Sequence, residues 1–195
     1  MSKRSILAAA GTFLLTGCAS TTLYAPLSVD PGTGLYPAVV HLTPADARAF
    51  VTGEDPRAFR AVVLTVETNF RPANLAFMIR QALAQEGITR VYTMSEFARM
   101  AGLRSPPASA TARPDMAAVQ KYSRLTAPVL IVNFRFDMSA GHADTALKVS
   151  DDSNGHTLLE IDQRRLIWSN WDTESLFPVL NELRQWVKAC PSEGA

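Results

Sequence analysis

The chain has 195 residues, 47% of them hydrophobic and 19% charged, with 19 Lys and Arg against 18 Asp and Glu for a formal charge of +1. That length suits one domain with a proper core, and neither the charge nor any basic cluster points to nucleic acid. Two cysteines, Cys18 and Cys190, exclude a framework of internal disulfides.

The chain begins with a basic pair, Lys3 and Arg4, and residues 6–15 then run apolar or small without a charge. This stretch is too short to span a bilayer, which needs ~20 residues. It ends in Leu15, Thr16, Gly17 and Cys18. Together these read as a secretory signal peptide over residues 1–17. The four-residue ending resembles the bacterial lipobox. That resemblance implies that Cys18 becomes the first residue, with a diacylglycerol on its sulfur and an acyl chain such as palmitate on its amine. Ala19 resembles the sorting pattern for the outer membrane, which implies a lipid-anchored protein facing the periplasm. Removal of Lys3 and Arg4 leaves a formal charge of −1, so a near-neutral surface attracts anionic lipid little and the anchor carries the attachment. Cys190 is then a lone thiol in an oxidising compartment. It continues the stripe Leu176, Leu180, Leu183 and Val187 and is expected to be buried.

Residues 18–59 read as a lipidated tether and irregular lead-in, because Pro26, Pro31, Gly32, Gly34 and Pro37 interrupt regular structure. A short strand fits 38–42. Thr43 followed by Pro44 reads as an N-cap, predicting one or two helical turns over 45–50. The domain proper runs over 60–190, with a tail at 191–195. Residues 61–66 are a continuous apolar run, hence a buried strand. Asn69 to Pro72 turn into a helix with Leu75, Met78, Ile79, Ala82 and Leu83 on one face, stopped by Gly87. A second strand follows over 88–94. Ser95 is expected to cap a short helix that reaches Met100 and stops at Gly102. Residues 104–114 hold three prolines and read as a mobile surface loop. A helix over 115–125 and a long strand over 129–137 come next. That strand is apolar through Val132 and alternating beyond it, and Gly141 breaks it. Thr145, Leu147 and Val149 alternate on a partner strand, and Asn154-Gly155 is a strong hairpin signal. Leu159 and Ile161 mark a further strand, followed by a polar turn over 162–165 and a last strand over 166–171. An amphipathic helix over 175–189 closes the domain, with Pro178 in its first turn. The order predicts an α/β (α+β) two-layer sandwich. Its mixed sheet would have about five to six strands, a βαβ start, a C-terminal antiparallel meander and a C-terminal helix.

Catalytic motifs are missing: no glycine-rich phosphate loop, His-Glu-x-x-His, paired Cys-x-x-Cys, Gly-x-Ser-x-Gly or Ser-x-x-Lys occurs. The expectation is a protein that is not an enzyme and holds no cofactor beyond its lipid. His142, Asp144, Asp151, Asp152 and His156 gather around one hairpin in the sequence. Imidazole and carboxylate together suit a divalent metal, so His142, Asp144, Asp152 and His156 are candidate ligands. Turns select the same residue types for backbone reasons. Ser150, Asp152, Asn154 and Gly155 echo a calcium loop, yet Ile161 stands where a bidentate Glu is required. Candidate partner contacts are Phe70, Phe77, which lies off its helix's apolar stripe, and Trp171. Trp168 and Trp171 are three apart, so on a strand they face opposite sides and one is expected to be exposed. Trp186 belongs to an apolar stripe.

Residues 159–169 carry a further resemblance. An aliphatic strand ending in Asp162, a turn at Arg164 and Arg165, and a strand with Ile167 and Trp168 follow the long apolar strand. This order resembles the TolB amino-terminal domain and the CsgG-like lipoproteins of the bacterial envelope. The resemblance implies an α/β fold and a non-enzymatic role in assembling or assisting an envelope complex, with other envelope proteins or further copies of itself as partners. The CsgG pore also needs membrane-inserting hairpins, and no pair of long alternating segments is present. The alternative is a lipoprotein that binds a small ligand or divalent metal at the His142–His156 hairpin.

Overall fold

The computed structural model describes residues 27–49, 55–69, 74–103, 116–168 and 170–190. The signal peptide with Cys18, Phe70, the proline-rich 104–114 and the tail 191–195 lie outside the described residues.

Two apolar runs build the centre of the sheet. Strand β2 (Ala61–Thr68) and strand β4 (Val129–Ser139) lie parallel, Ala61 opposite Val129 and Val63 opposite Ile131. Their first four residues are buried, as a strand covered on both faces must be. Helix α1 (Leu75–Gln85) crosses from β2 to strand β3 (Val91–Thr93), which adds in parallel and completes the βαβ start. Strands β5 (His142–Asp151) and β6 (Thr157–Leu166) continue from β4 as an antiparallel meander. The β4–β5 turn is two residues, Ala140 at φ 47° and Gly141 at φ 79°. Positive φ at both positions matches the twist of a tight hairpin, which is why a glycine stands there. Strand β1 (Ala47–Ala49) closes the far edge, and the six-stranded order is β1-β6-β5-β4-β2-β3.

Helices α1 and α4 (Phe177–Ala189) cover one face of this mixed sheet. Beneath them lie Val62, Leu64, Leu130, Val132, Phe134, Leu147 and Ile161, all at or below 3% exposure. The reverse face is covered only where the strands begin. There α2 (Met94–Met100) and α3 (Met116–Leu125) bring Phe97 and Val119 onto Ala61, Val63, Val129 and Ile131. The cap of α2 is Thr93, two residues earlier than the expected Ser95. Thr93 Oγ accepts the Glu96 N–H while Glu96 Oε2 accepts the Thr93 N–H at 2.7 Å, a reciprocal capping box. The Thr93 N–H bond, with the Arg80 guanidinium alongside, holds the Glu96 carboxyl down at about 2.

Four local expectations change. Residues 38–42 form no strand, and the described residues 45–49 are not helical. Instead Thr43, Pro44, Ala45 and Asp46 make a β-turn with the Asp46 N–H on Thr43 O at 2.9 Å, and β1 follows. The Asp46 carboxylate accepts the Thr43 N–H and hydroxyl at 2.9 and 2.7 Å, which closes the turn. A two-turn helix is marginal alone, whereas β1 gains a ladder on β6. The second strand shortens from 88–94 to Val91–Thr93, since Thr93 is already the helix cap.

The third change is in β6, which runs straight through 162–165. Asp162 and Arg164 face outward while Gln163 is 2% exposed and donates to Ser175 O at 2.6 Å. Buried Gln163 has its partner, so the backbone needs no turn. Beyond Leu166, which ends β6, no strand follows among the described residues 167, 168, 170 and 171. Asp172–Leu176 forms a π-helical turn that leads into α4. The meander therefore adds two strands after β4, and the strand–turn–strand pattern of the CsgG-like resemblance is absent from 159–168.

The fourth concerns the lead-in. It is irregular, but from Leu27 onward it is docked and not a tether. Tyr36 is 2% exposed, and Asn181 grips its backbone twice: Oδ1 accepts the Tyr36 N–H at 2.7 Å, and Nδ2 donates to Tyr36 O at 3.0 Å. The Tyr36 hydroxyl donates to Gln85 Oε1 at 2.6 Å, and the Arg184 guanidinium lies 5.0 Å from the Tyr36 ring centre. Leu27, Val29 and Ala38 pack on the same core.

Candidate functional site

Past Val63 and Ile131 the reverse face of the sheet has no helix over it among the described residues, and its side chains turn polar. The register sets them in rows. Thr65 stands opposite Asn133, Asn133 opposite Lys148, Lys148 opposite Glu160, and Glu160 opposite Arg48. The next row is Glu67, Arg135, Ala146 and Asp162. Period-two alternation puts these residues on the face opposite the core. Arg48, Glu67, Asn133, Arg135, Lys148, Glu160 and Asp162 are all exposed. A shallow groove of about 320 Å³ runs across Thr65, Asn133, Lys148 and Glu160, its floor lowered by the small side chain of Ala146.

Charges alternate in sign across the strands. Lys148 sits between Glu160 and Asn133, and Arg164 reaches the Asp144 carboxylate at 3.5 Å. Thr65 Oγ donates to Asn133 Oδ1 across the parallel pair. Opposite charges directly across a ladder contribute roughly 0.2–1 kcal/mol each, so the pattern holds side chains in place more than it stabilises the fold. The face presents a fixed lattice of donors and acceptors on backbone that strand pairing holds rigid.

The candidate metal ligands are not brought together. His142 and His156 flank β5, whose ten residues set them about 30 Å apart. His142 Nδ1 lies 3.3 Å from Ala140 O at one hairpin tip, and the His156 N–H donates to Asn154 Oδ1 at 2.8 Å at the other. Asp144 faces Arg164, and Asp152 follows Asp151 beside α3. Among the described residues no group of three or more His, Cys, Asp or Glu could hold a metal ion. What the sequence places along one hairpin the strand separates to its two ends, and the ligand-binding reading loses its site.

Of the tryptophans, Trp168 is 82% exposed, while Trp171 is half-buried with its ring 5.3 Å from that of Phe136. One of the pair is exposed, but it is not the candidate Trp171, and no strand runs through the two to set them on opposite sides. Phe77 is 44% exposed on α1. Cys190 caps α4 and is half-buried against the core, and burial pushes its thiol up. The two reverse-face rows contain none of the candidate metal ligands or candidate partner contacts chosen from the sequence. Their trace there was the alternation of Asn133, Arg135 and Asp137 after an apolar start.

Asp152 is an internally stressed carboxylate. Asp151 accepts the Ser153 N–H at 2.8 Å and its hydroxyl at 2.7 Å, whereas Asp152 Oδ2 is buried without a hydrogen-bond partner among the described residues. Burial first, and then the neighbouring Asp151 charge, raise the Asp152 carboxyl, with Arg124 opposing. A carboxyl raised on folding disfavours the folded state once ionised, and this penalty disappears as pH falls towards its ordinary value of 3.8. Asp152→Asn is therefore expected to stabilise the protein at pH 7. The gain should shrink as pH is lowered towards 4, read by urea unfolding at both pH values. An equal gain at both would assign the effect to something other than this charge.

No family model matches the sequence, and no curated protein does. Among solved structures the chain is similar to the PelC dodecamer from Paraburkholderia phytofirmans, at 17% identity over 72% of this chain and 92% of that one, with a TM-score of 0.37. It is similar to the LpoB C-terminal domain from Escherichia coli at 18% identity, covering 58% of this chain and 88% of that one, TM-score 0.36. A third is the lipoprotein GNA1162 from Neisseria meningitidis, at 12% identity over 68% and 99% of the two chains, TM-score 0.35. At such identities and scores the function has to be read from this chain's own residues. No described helix is long and apolar enough to cross a membrane.

Proposed function

We propose that the protein is an envelope lipoprotein, anchored through acylated Cys18 in the outer membrane and facing the periplasm. In this reading it acts without catalysis, as a scaffold or accessory protein that presents its uncovered sheet face to another envelope protein. The observation that carries the reading is the half-covered sheet: α2 and α3 stop at Val63 and Ile131, and rows of exposed charged side chains follow on rigid strands. Such a face offers a partner directional contacts and alternating charge, which favour specificity over bulk affinity. It lacks the enclosed apolar cavity of a small-molecule site.

Photo-crosslinking from position 133 or 148 in living cells should capture a discrete protein adduct, and Arg135→Glu with Lys148→Glu should abolish it. Adducts that survive the charge reversal, or arise equally from position 125 on exposed Leu125, would remove the face from the interaction. Anchoring has its own test. Cys18→Ala should accumulate as an uncleaved chain of full mass that takes up no labelled palmitate, because the sulfur is the acylation site. Label in the variant would end the lipid-anchor reading.

A further inference from the structure

A near-neutral total charge conceals an uneven distribution. Arg60 and Arg90 immediately precede β2 and β3. The Val62 N–H donates to Arg90 O at 2.9 Å, and the Arg60 N–H to Pro128 O at 3.2 Å. The two arginines therefore stand side by side at the end of the sheet where the parallel strands start. Both are exposed, and neither has an ion pair among the described residues. Arg57 stands next to them. Its Cδ lies 3.7 Å from the place a Cβ would take on Gly87, and its guanidinium pairs with Asp55 at 2.7 Å and donates to Cys190 O at 3.0 Å. A hollow of about 100 Å³ opens between Arg57, Arg90, Gly87 and Thr89. The other acids of this end are already engaged or set apart. Glu86 is paired with Arg184, and Asp151 and Asp152 lie across β4.

The chain enters the described domain at this same end. Gln85, the last residue of α1, donates from Nε2 to Leu27 O at 2.9 Å, and Gln81 Oε1 accepts the Leu27 N–H at 2.9 Å. Eight residues separate Cys18 from Leu27, so nine backbone steps link them. At no more than 3.3–3.6 Å each, they reach at most about 32 Å in any conformation. We infer that this end is a docking surface for an anionic bilayer, with Arg60 and Arg90 set against headgroup phosphates and Arg57 beside them. The inference rests on the anchor at Cys18, because the short link is what holds this end towards the membrane. Charge complementarity selects the occupant: unpaired guanidiniums beside a lipid attachment meet phosphates first. The rows of the uncovered sheet face run along the strands and are left open to a protein partner.

The test uses the acylated protein in vesicles of phosphatidylcholine alone or with 30% phosphatidylglycerol. A fluorophore is placed through Thr89→Cys, in a Cys190→Ala background, and quenched by a nitroxide on lipid headgroups. A second probe goes in through Ala140→Cys, at the far end of β4, whose eleven residues span about 35 Å. Each basic residue near an anionic surface is worth about a fivefold preference. Quenching at 89 should therefore be stronger with phosphatidylglycerol, be lost in high salt, and shift in Arg60→Gln/Arg90→Gln as if affinity had fallen about 25-fold. The probe at 140 should stay bright throughout. Flotation with phosphatidylcholine vesicles reads the anchor separately, and failure to float ends both the anchor and this proposal. A protein that floats but is quenched equally in both lipids, or more at 140 than at 89, keeps its anchor and overturns the docking surface.

Discussion

Phe134→Ala should destabilise the domain by about 3–5 kcal/mol, the range for deleting a buried aromatic ring. Phe134 is 1% exposed at the middle of β4, with Val66 and Leu147 opposite it on either side and the α1–α4 layer above. Strand pairing on both sides fixes the backbone, so the site cannot collapse onto the space and the cavity term persists. Neighbouring Asn133 points to the other face and is exposed, so Asn133→Ala should stay within about 0.5 kcal/mol. Urea unfolding followed by tryptophan fluorescence reads both, with Trp186 in the core and Trp171 against Phe136 as reporters. A loss below about 1 kcal/mol at Phe134 would mean that β4 is not the central strand.

Glu86→Ala should destabilise by a similar amount, about 3–5 kcal/mol, for an electrostatic reason. The side chains of Arg184 and Glu86 are only 7% and 8% exposed, and Nε lies 2.7 Å from Oε1. The alignment falls short of a directed hydrogen bond, so the contact is mainly ionic. Arg184 also lies over the Tyr36 ring and donates from Nη1 to Gln85 Oε1 at 3.2 Å. Removing the carboxylate strands a buried guanidinium with one neutral acceptor and an aromatic face. Replacing both partners, Glu86→Leu with Arg184→Met, removes the desolvation penalty together with the attraction. That double variant should recover most of the loss. The coupling from the cycle of single and double variants is the decisive quantity, and additive losses would show that the pair does not interact. Added salt should change the result little, because a buried pair is poorly screened.

The parts of the fold that could be read from sequence are those whose signal is local. The stripe Leu75, Met78, Ile79, Ala82 and Leu83 is the buried set of α1, and Gly87 beyond it has φ +87°. The apolar starts of β2 and β4 are buried on both faces, as their composition requires. What failed depended on distant partners. Arg164 and Arg165 look like a turn until Gln163 meets Ser175 twelve residues later, and the alternation of Glu160, Asp162 and Arg164 against Ile161 and Gln163 then becomes decisive. Strand β1 exists because Ala47 finds Ile161, more than a hundred residues on. The candidate site is less legible still. Arg48, Glu160, Lys148, Asn133 and Thr65 form one row only after five strands take their register, and its nearest neighbours, Lys148 and Glu160, are still twelve positions apart along the chain. The His142–Asp152–His156 cluster is the reverse case, close along the chain and far apart once β5 is extended.

The docked lead-in also decides how the molecule responds to force. A pull on the amino-terminal side arrives first at Leu27 and its two glutamine bonds, and next at the Asn181 clamp on Tyr36. It reaches the sheet last, at β1. These contacts lie in series along the chain and open one at a time, as in a peeling geometry, while the ladders between β4, β5 and β6 carry no load until the end. Peeling residues 27–40 away would pay out about 45–50 Å of chain at 3.3–3.6 Å per residue and leave all six strands paired. The segment is thus a stored length, released under tension at a threshold that Asn181→Ala should lower.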